Sequence, residues 1–396
     1  MAKQKGYPVI AEREENLWRA WATTAPEWGF LPASDGHRYR ILYPGRLNRG
    51  AGPDFQDALL LRGDGRLLRG DVEVHCSPDA WASHGHHADP RYRQVLLHLV
   101  LGKSPSPRPS PPQVDLPDGA LLQVGKVAPP FVGACPTLAT LHRWADARFR
   151  QRASGYARLI VSVGVEEALY RGLMEGMGYG ANREPMRQLA EGMPYRVLRR
   201  VALPCTPQER ATRLAAVLLG SAGLLSGGDP LVRLWRETPW QPVLSPEAWC
   251  RAGVRPANRP ARRLWGMAVL VARWWDEGLP QALRRGAVNG PSALERVLTV
   301  PSPTGGPALI GRSRAREVAV SVVLPFLWAW ATAQGNPSLR RAVWACWKVF
   351  PPPAENAVSR AMRALLPMPI PSTARAQQGL LAWARRLGAP WALTPS

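Results

Sequence analysis

Lysine is nearly missing from this chain: Lys3, Lys5, Lys103, Lys126 and Lys348 are the only five among 51 basic residues. Arginine carries the remaining positive charge, and GC-rich coding accounts for that bias as readily as a need for guanidinium groups does. Cysteine is sparse as well. Cys76, Cys135, Cys205, Cys250 and Cys346 are scattered, with no two at metal-ligand spacing. An odd, dispersed set excludes a disulfide framework and a zinc ribbon, and predicts reduced core residues. The N-terminal MAKQKGYPVIAEREEN has no apolar h-region, so no signal peptide is expected. The most apolar run, Val318 to Ala333, is shorter than the ~20 residues a membrane span needs and contains Pro325. It predicts a buried core helix, and the protein is expected in the cytoplasm without a membrane partner. Also lacking are an internal repeat, a nucleotide-binding glycine motif, a nucleophile elbow and a Cys-His dyad.

What is present is a globular composition with a lopsided charge. An apolar fraction of 46% and a charged fraction of 20% over 396 residues suit two ordinary domains with a substantial core. Residues 1–105 hold 14 basic and 12 acidic residues, whereas residues 106–396 hold 37 and 17. Almost all of the formal net charge of +22 therefore lies in the second part. A field of that sign attracts polyanions, of which nucleic acid is the commonest inside cells.

The text divides near residue 135. Residues 12–22 place Leu17, Trp18 and Trp21 at helical spacing behind Glu14 and Glu15. Residues 38–43 (RYRILY) alternate like a strand, and the turn-rich stretch Pro44 to Pro53 follows. Two apolar runs around Gly63-Asp64-Gly65, ending at His75, predict a β-hairpin. A histidine-rich segment then leads into Val95 to Leu101, a buried strand. Residues 104–112 (SPSPRPSPP) read as an extended loop, and Leu121 to Val124 as a further short strand. From Cys135 on, Trp, Ala, Leu and Arg recur at helical spacing around 269–275, 318–331 and 339–349. Thirteen of the 17 Trp lie there, and such a stripe reads as core more readily than as a base-stacking platform. The expectation is an α+β domain over 1–135 and a helical, Arg- and Trp-rich domain over 136–396.

Asp54 and Glu73 carry the chemistry. Period-two geometry sets Asp71, Glu73 and His75 on one face of the second hairpin strand, and pairing across the turn lets Asp54 meet them. Converging carboxylates repel unless a cation lies between them, and hard oxygen ligands suit Mg²⁺ or Mn²⁺. Solvent-facing acids on an edge strand, with Asp54 capping a turn, explain the same letters.

A Pro-Asp, a hairpin and then Glu-x-His, preceded by a helix carrying Glu, resembles the PD-(D/E)XK nuclease core with its restriction-endonuclease-like αβββαβ order. The resemblance implies that Asp54 and Glu73 are the motif acids, that Glu14 or Glu15 is the first-helix acid, and that His75 stands at the motif Lys. His in that place acts as a base or metal ligand and favours softer ions such as Mn²⁺ or Zn²⁺. A closer resemblance covers nearly the whole chain. PGRLNRGAGPDFQDALL, GDVEVH and DAWASHGHHADPRYRQVLLHLV, with RPANRPARRL, PAEN and QQGLLAW later, are similar to a bacterial family described as domain of unknown function 2851. It implies that His75 is the family's own choice; the family's Cys-rich C-terminal end is replaced by ALTPS.

Six of the seven His precede residue 100. His84, His86 and His87, with Asp89, resemble the HxHxDH motif of metallo-β-lactamase-type hydrolases, but the Asp is one position late and the final His absent. They also fit phosphate contacts beside Asp54 and Glu73, or a solvated loop; His98 reads as a core histidine. Arg46, Asn48 and Arg49 precede Asp54 in a glycine-rich turn that could cradle a phosphate or be structural. Arg255, Arg259, Arg262 and Arg263 would share one helix face suited to a phosphate backbone, followed by Arg312, Arg314 and Arg316. The expected function is metal-dependent cleavage of nucleic acid, DNA in preference to RNA. The alternatives are a catalytically inactive nucleic-acid-binding module and a His-cluster metallohydrolase of a small substrate.

Overall fold

The computed structural model describes residues 14–48, 50–101, 111–116, 135–251, 254, 256–303 and 305–387. Contacts divide the chain into two units. The first comprises Met1–Leu141, Asn356–Pro369 and Leu380–Thr394, and the second His142–Glu355, Ile370–Gly379 and Pro395–Ser396. The chain is thus mixed α/β, with an N-terminal sheet domain followed by a helical domain to which most of the later chain belongs.

The sheet unit opens with helix α1, Glu14–Thr24, whose Leu17 and Trp21 are buried. Strands β1 (Phe30–Pro32), β2 (Arg38–Tyr43), β3 (Arg46–Leu47), β4 (Phe55–Arg62) and β5 (Leu67–His75) follow, then β6 (Val95–Leu101) and β7 (Gln113–Leu116). Their order is β1-β2-β4-β5-β6-β7, with β3 paired to β4. The expected strands at 38–43, around the 63–65 turn and at 95–101 are β2, β4, β5 and β6. The expected strand at Leu121 to Val124 lies outside the described residues, as does most of the 104–112 loop.

Up to β5 the pairing is antiparallel, and β6 then lies parallel to β5. A parallel neighbour cannot be reached by a tight turn, so the chain must cross over. Residues 76–94 do so with only a four-residue helix, α2 (Ala80–Ser83), and a 3₁₀ turn at Pro90–Tyr92. This short crossover leaves from the carboxyl end of β5 and hangs its side chains there.

The core under α1 gathers Leu17, Trp21, Ile41, Phe55, Val72 and Val74. Since Val72 and Val74 point into it, strand alternation sends Glu73 and His75 to the other side of β5. The C-terminal segment belongs to this unit through Leu67, whose N–H donates to Leu387 O at 2.9 Å.

In the helical unit, Trp249, Trp275, Trp330 and Trp347 are buried core residues. The apolar run from 318 is a buried helix with a π-helical stretch at Ala319–Val323 just before Pro325. Proline has no N–H and its ring clashes with the carbonyl four residues back, so widening the preceding turn lets the helix continue. None of the cysteines forms a disulfide, and only Cys346 is buried; Cys250 is exposed, contrary to the core expectation.

Candidate metal centre at the end of strand β5

The loop before β4 is organised by Asn48. Its N–H donates to Asp54 O at 2.7 Å, its Nδ2 donates to Pro53 O at 3.1 Å, and its Oδ1 accepts from Gly50 N at 3.0 Å. Gly52, with φ +110°, supplies the left-handed turn that an L side chain resists. Asn48 thus spends its polar groups on holding Asp54. Immediately after, a β-bulge between Phe55 and Ala58 puts Asp57 at φ +63°. Its carboxylate is held by Arg46 at 3.0 Å and Arg69 at 2.8 Å, and its N–H donates to Asp71 Oδ1. Arg46 is therefore committed to Asp57, and Asp71 to the bulge instead of to Glu73 and His75. Arg49 lies outside the described residues.

Asp54 and Glu73 do meet. The Asp54 N–H donates to Glu73 Oε2 at 2.9 Å. Asp54 Oδ2 accepts from Val74 N at 3.1 Å and from the Trp18 indole at 3.0 Å. Burial pushes the Glu73 carboxyl up to about 8, with further repulsion from Asp54 and Glu14. Burial likewise raises Asp54 to about 6; the donated Val74 N–H works against this and the charge of Glu14 adds to it. Glu14 is raised by its own burial, partly offset by His84. Three carboxyls thus share one poorly solvated region. Of the two first-helix candidates it is Glu14 that belongs to it; Glu15 is exposed.

On the other flank of Glu73 are imidazoles. Glu73 Oε1 lies 3.4 Å from His75 Nε2 and 3.2 Å from His86 Nε2. His75 Nδ1 is 2.8 Å from His98 Nε2 on the neighbouring strand, where Glu73 and His98 are register partners. Burial and the neighbouring histidines depress His75 to about 3, so it is neutral near pH 7. One ring nitrogen each of His75, His84 and His86 lies within 4.8 Å of the other two. His86 is stacked on Tyr92 at 3.9 Å, and the buried Trp81 packs edge-on against both rings. His87 is exposed and stands outside the cluster.

Trp18, Trp81, Tyr92 and His98 are site residues that the local text did not flag. His98 alone carried a signal: a polar residue within the apolar run VLLHLVL, directly across from Glu73.

The Arg set in the helical unit is not one face. Pro260 begins a helix that runs to Arg273, preceded by a 3₁₀ turn at Pro256–Asn258, so Arg259 lies ahead of the helix that holds Arg262 and Arg263. Arg263 is buried and donates to Leu309 O, Asn258 Oδ1 and the Tyr179 hydroxyl. Arg262 donates to Pro307 O, Arg259 is exposed, and Arg255 lies outside the described residues. Arg312 and Arg316 clamp the buried Glu295 at 2.5 and 2.6 Å, and Arg314 is buried over the Tyr179 ring. These arginines hold the helices together, because a buried guanidinium needs acceptors and finds them in carbonyls and Glu295.

Among the described residues no helix is long and apolar enough to cross a membrane. No curated protein and no solved structure matches the chain. A family model described as protein of unknown function (DUF2851) matches residues 14–106 and 137–288, more than half of the chain, and the chain belongs to that family.

Proposed function

We propose that this protein is a metal-dependent nuclease of the cytoplasm, cleaving phosphodiester bonds of nucleic acid, with DNA preferred to RNA. The observation that carries this reading is the convergence of Glu14, Asp54 and Glu73 beside His75. A buried Glu73 flanked by half-buried Asp54 and Glu14, all with penalised ionised forms, calls for a compensating cation. Carboxylate oxygens fit Mg²⁺ or Mn²⁺, and the adjoining imidazole tilts the set toward Mn²⁺. Such an ion supplies Lewis acidity toward a phosphoryl oxygen.

The chain's own groups do the rest. Asp54 and Glu73 hold the cation, and Glu14 completes the negative charge. Neutral His75 orients the attacking water through Nε2, its ring fixed by His98. The position of these groups at the carboxyl end of a strand with a parallel neighbour is a common place for ligands. The short order of α1, antiparallel strands, crossover and parallel strand favours the restriction-endonuclease-like core, with His75 at the lysine position. The basic surplus of residues 106–396 draws the polyanion in. Since Arg262, Arg263, Arg312, Arg314 and Arg316 are engaged within the fold, the grip falls to exposed residues such as Arg259.

Plasmid and single-stranded substrates incubated with Mn²⁺ or Mg²⁺ test the reading. Nicking is expected from the wild type and absent from Asp54→Ala and Glu73→Gln. Nicking that survives Asp54→Ala sinks the proposed site, while DNA binding without turnover identifies an inactive binding module.

A further inference from the structure

Beside the carboxylates stands a set of nitrogen donors that Mg²⁺ chemistry does not need. We infer that His75, His84 and His86 hold a borderline transition-metal ion of the Zn²⁺ class, with Glu73 Oε1 as a fourth ligand. This site shares Glu73 and His75 Nε2 with the nuclease centre, so an ion held here and a water oriented by His75 are alternative states; it does not depend on nucleic-acid cleavage.

Spacing is the first support. The three ring nitrogens lie within 4.8 Å of one another. Tetrahedral Zn²⁺ at roughly 2.0–2.1 Å from each nitrogen places them about 3.4 Å apart. Only a small closing movement is required, and His84, exposed at the end of the four-residue helix α2, is free to make it.

The second support is the way the rings are held. His75 Nδ1 meets His98 Nε2 at 2.8 Å, which fixes the ring and leaves Nε2 as the nitrogen turned to the site. Metal-ligating histidines characteristically have their other nitrogen fixed by such a partner. His86 is clamped by Tyr92 at 3.9 Å and by Trp81. Its Nε2 is buried, makes no hydrogen bond, and lies 3.2 Å from Glu73 Oε1 without the alignment that a hydrogen bond requires.

The third is the placing of Glu73 Oε1. It lies 3.4 Å from His75 Nε2 and 3.2 Å from His86 Nε2. An oxygen beside two imidazole nitrogens supplies the fourth donor that a tetrahedral ion takes. Imidazole donors select Zn²⁺, Co²⁺ or Ni²⁺ over Mg²⁺. Trp81 and Tyr92 pack against His86 and hold it in place.

The full-length protein, stripped with a chelator and titrated with Co²⁺, reads this directly through the visible absorption of tetrahedral Co²⁺. One equivalent is expected to bind with that spectrum, to be displaced by Zn²⁺ and to resist excess Mg²⁺. His84→Ala changes an exposed side chain and leaves folding intact; it is expected to weaken Co²⁺ binding by about 100-fold, as is His86→Ala. His87→Ala is expected to leave it unchanged. Asp54→Asn should keep the Co²⁺ spectrum even if it abolishes nicking, so failure of the nuclease reading and failure of this one are separable. The inference is overturned if the folded wild type shows no tetrahedral Co²⁺ spectrum, or if His84→Ala binds as the wild type does. Equal loss in His87→Ala and His84→Ala also overturns it.

Discussion

Glu73 makes the metal-free protein sensitive to alkali in a narrow, separable window. Its carboxyl ionises near 4.5 when exposed in the unfolded chain and at about 8 in the folded one. Between these limits the folded state binds the extra proton, so stability falls as pH rises through the window and levels off above it. His75 has the opposite sign: depressed to about 3, it adds stability as pH rises through 6.5, with only about 0.4 kcal/mol of that gain left above it. Asp54, raised to about 6, has also finished most of its titration by then. Over the interval from pH 6.5 to 8 Glu73 is therefore the dominant contributor. Linkage gives a loss of about 1.7 kcal/mol across it, reduced somewhat if water enters the site. Hydrogen exchange of the β4 and β5 amides, measured with chelator and corrected for intrinsic rates, reads the opening free energy of this unit. The wild type should show it fall by roughly 1–2 kcal/mol, Glu73→Gln should remove most of the fall, and added Mn²⁺ should remove it in the wild type. A flat wild-type profile, or the same slope in Glu73→Gln, refutes the assignment of a buried, cation-seeking carboxyl.

Other perturbations have equally definite outcomes. Gly70→Ala would bring a methyl 2.5 Å from Leu96 Cγ and 2.6 Å from Gln94 O, where β5 passes β6; a loss of ~1–3 kcal/mol in urea unfolding is expected. Trp18→Phe removes the indole donor to Asp54 and should cost about 1 kcal/mol, with folding otherwise intact by circular dichroism. Arg263→Ala removes a buried guanidinium and strands Leu309 O, Asn258 Oδ1 and the Tyr179 hydroxyl, and should destabilise the protein by ~2–4 kcal/mol by the same measurement. Arg259→Ala should leave stability unchanged while lowering DNA affinity and reducing its salt slope by about one, and an unchanged slope removes Arg259 from the interface.

Legibility in the sequence followed the range of the interactions. The β4–β5 hairpin was readable because two apolar runs flank Gly63-Asp64-Gly65, and α1 because Leu17 and Trp21 keep helical spacing. Both are local patterns. The Asn48 loop stays open between a phosphate cradle and a structural turn in the sequence, because no composition reveals that the donors and acceptors of Asn48 turn inward. The approach of His84 and His86 to His75 depends on a crossover that returns beside β5, and Trp18 reaches Asp54 only when α1 packs on the sheet. The supposed Arg face failed on Pro260: proline favours the first turn of a helix, so the helix starts there and Arg259 falls outside it. Residues 356–369 and 380–387 join the sheet unit through contacts such as Leu67 with Leu387, for which the helical text of that region gives no cue.

The central claim is that Asp54, Glu73 and their neighbours converge on a divalent cation. Anomalous diffraction from crystals of the full-length protein soaked in Mn²⁺ tests it most directly. The account predicts a peak about 2.2 Å from carboxylate oxygens of both Asp54 and Glu73, lost in Asp54→Ala crystals. A peak elsewhere, or none at this end of β5 at saturating Mn²⁺, contradicts it.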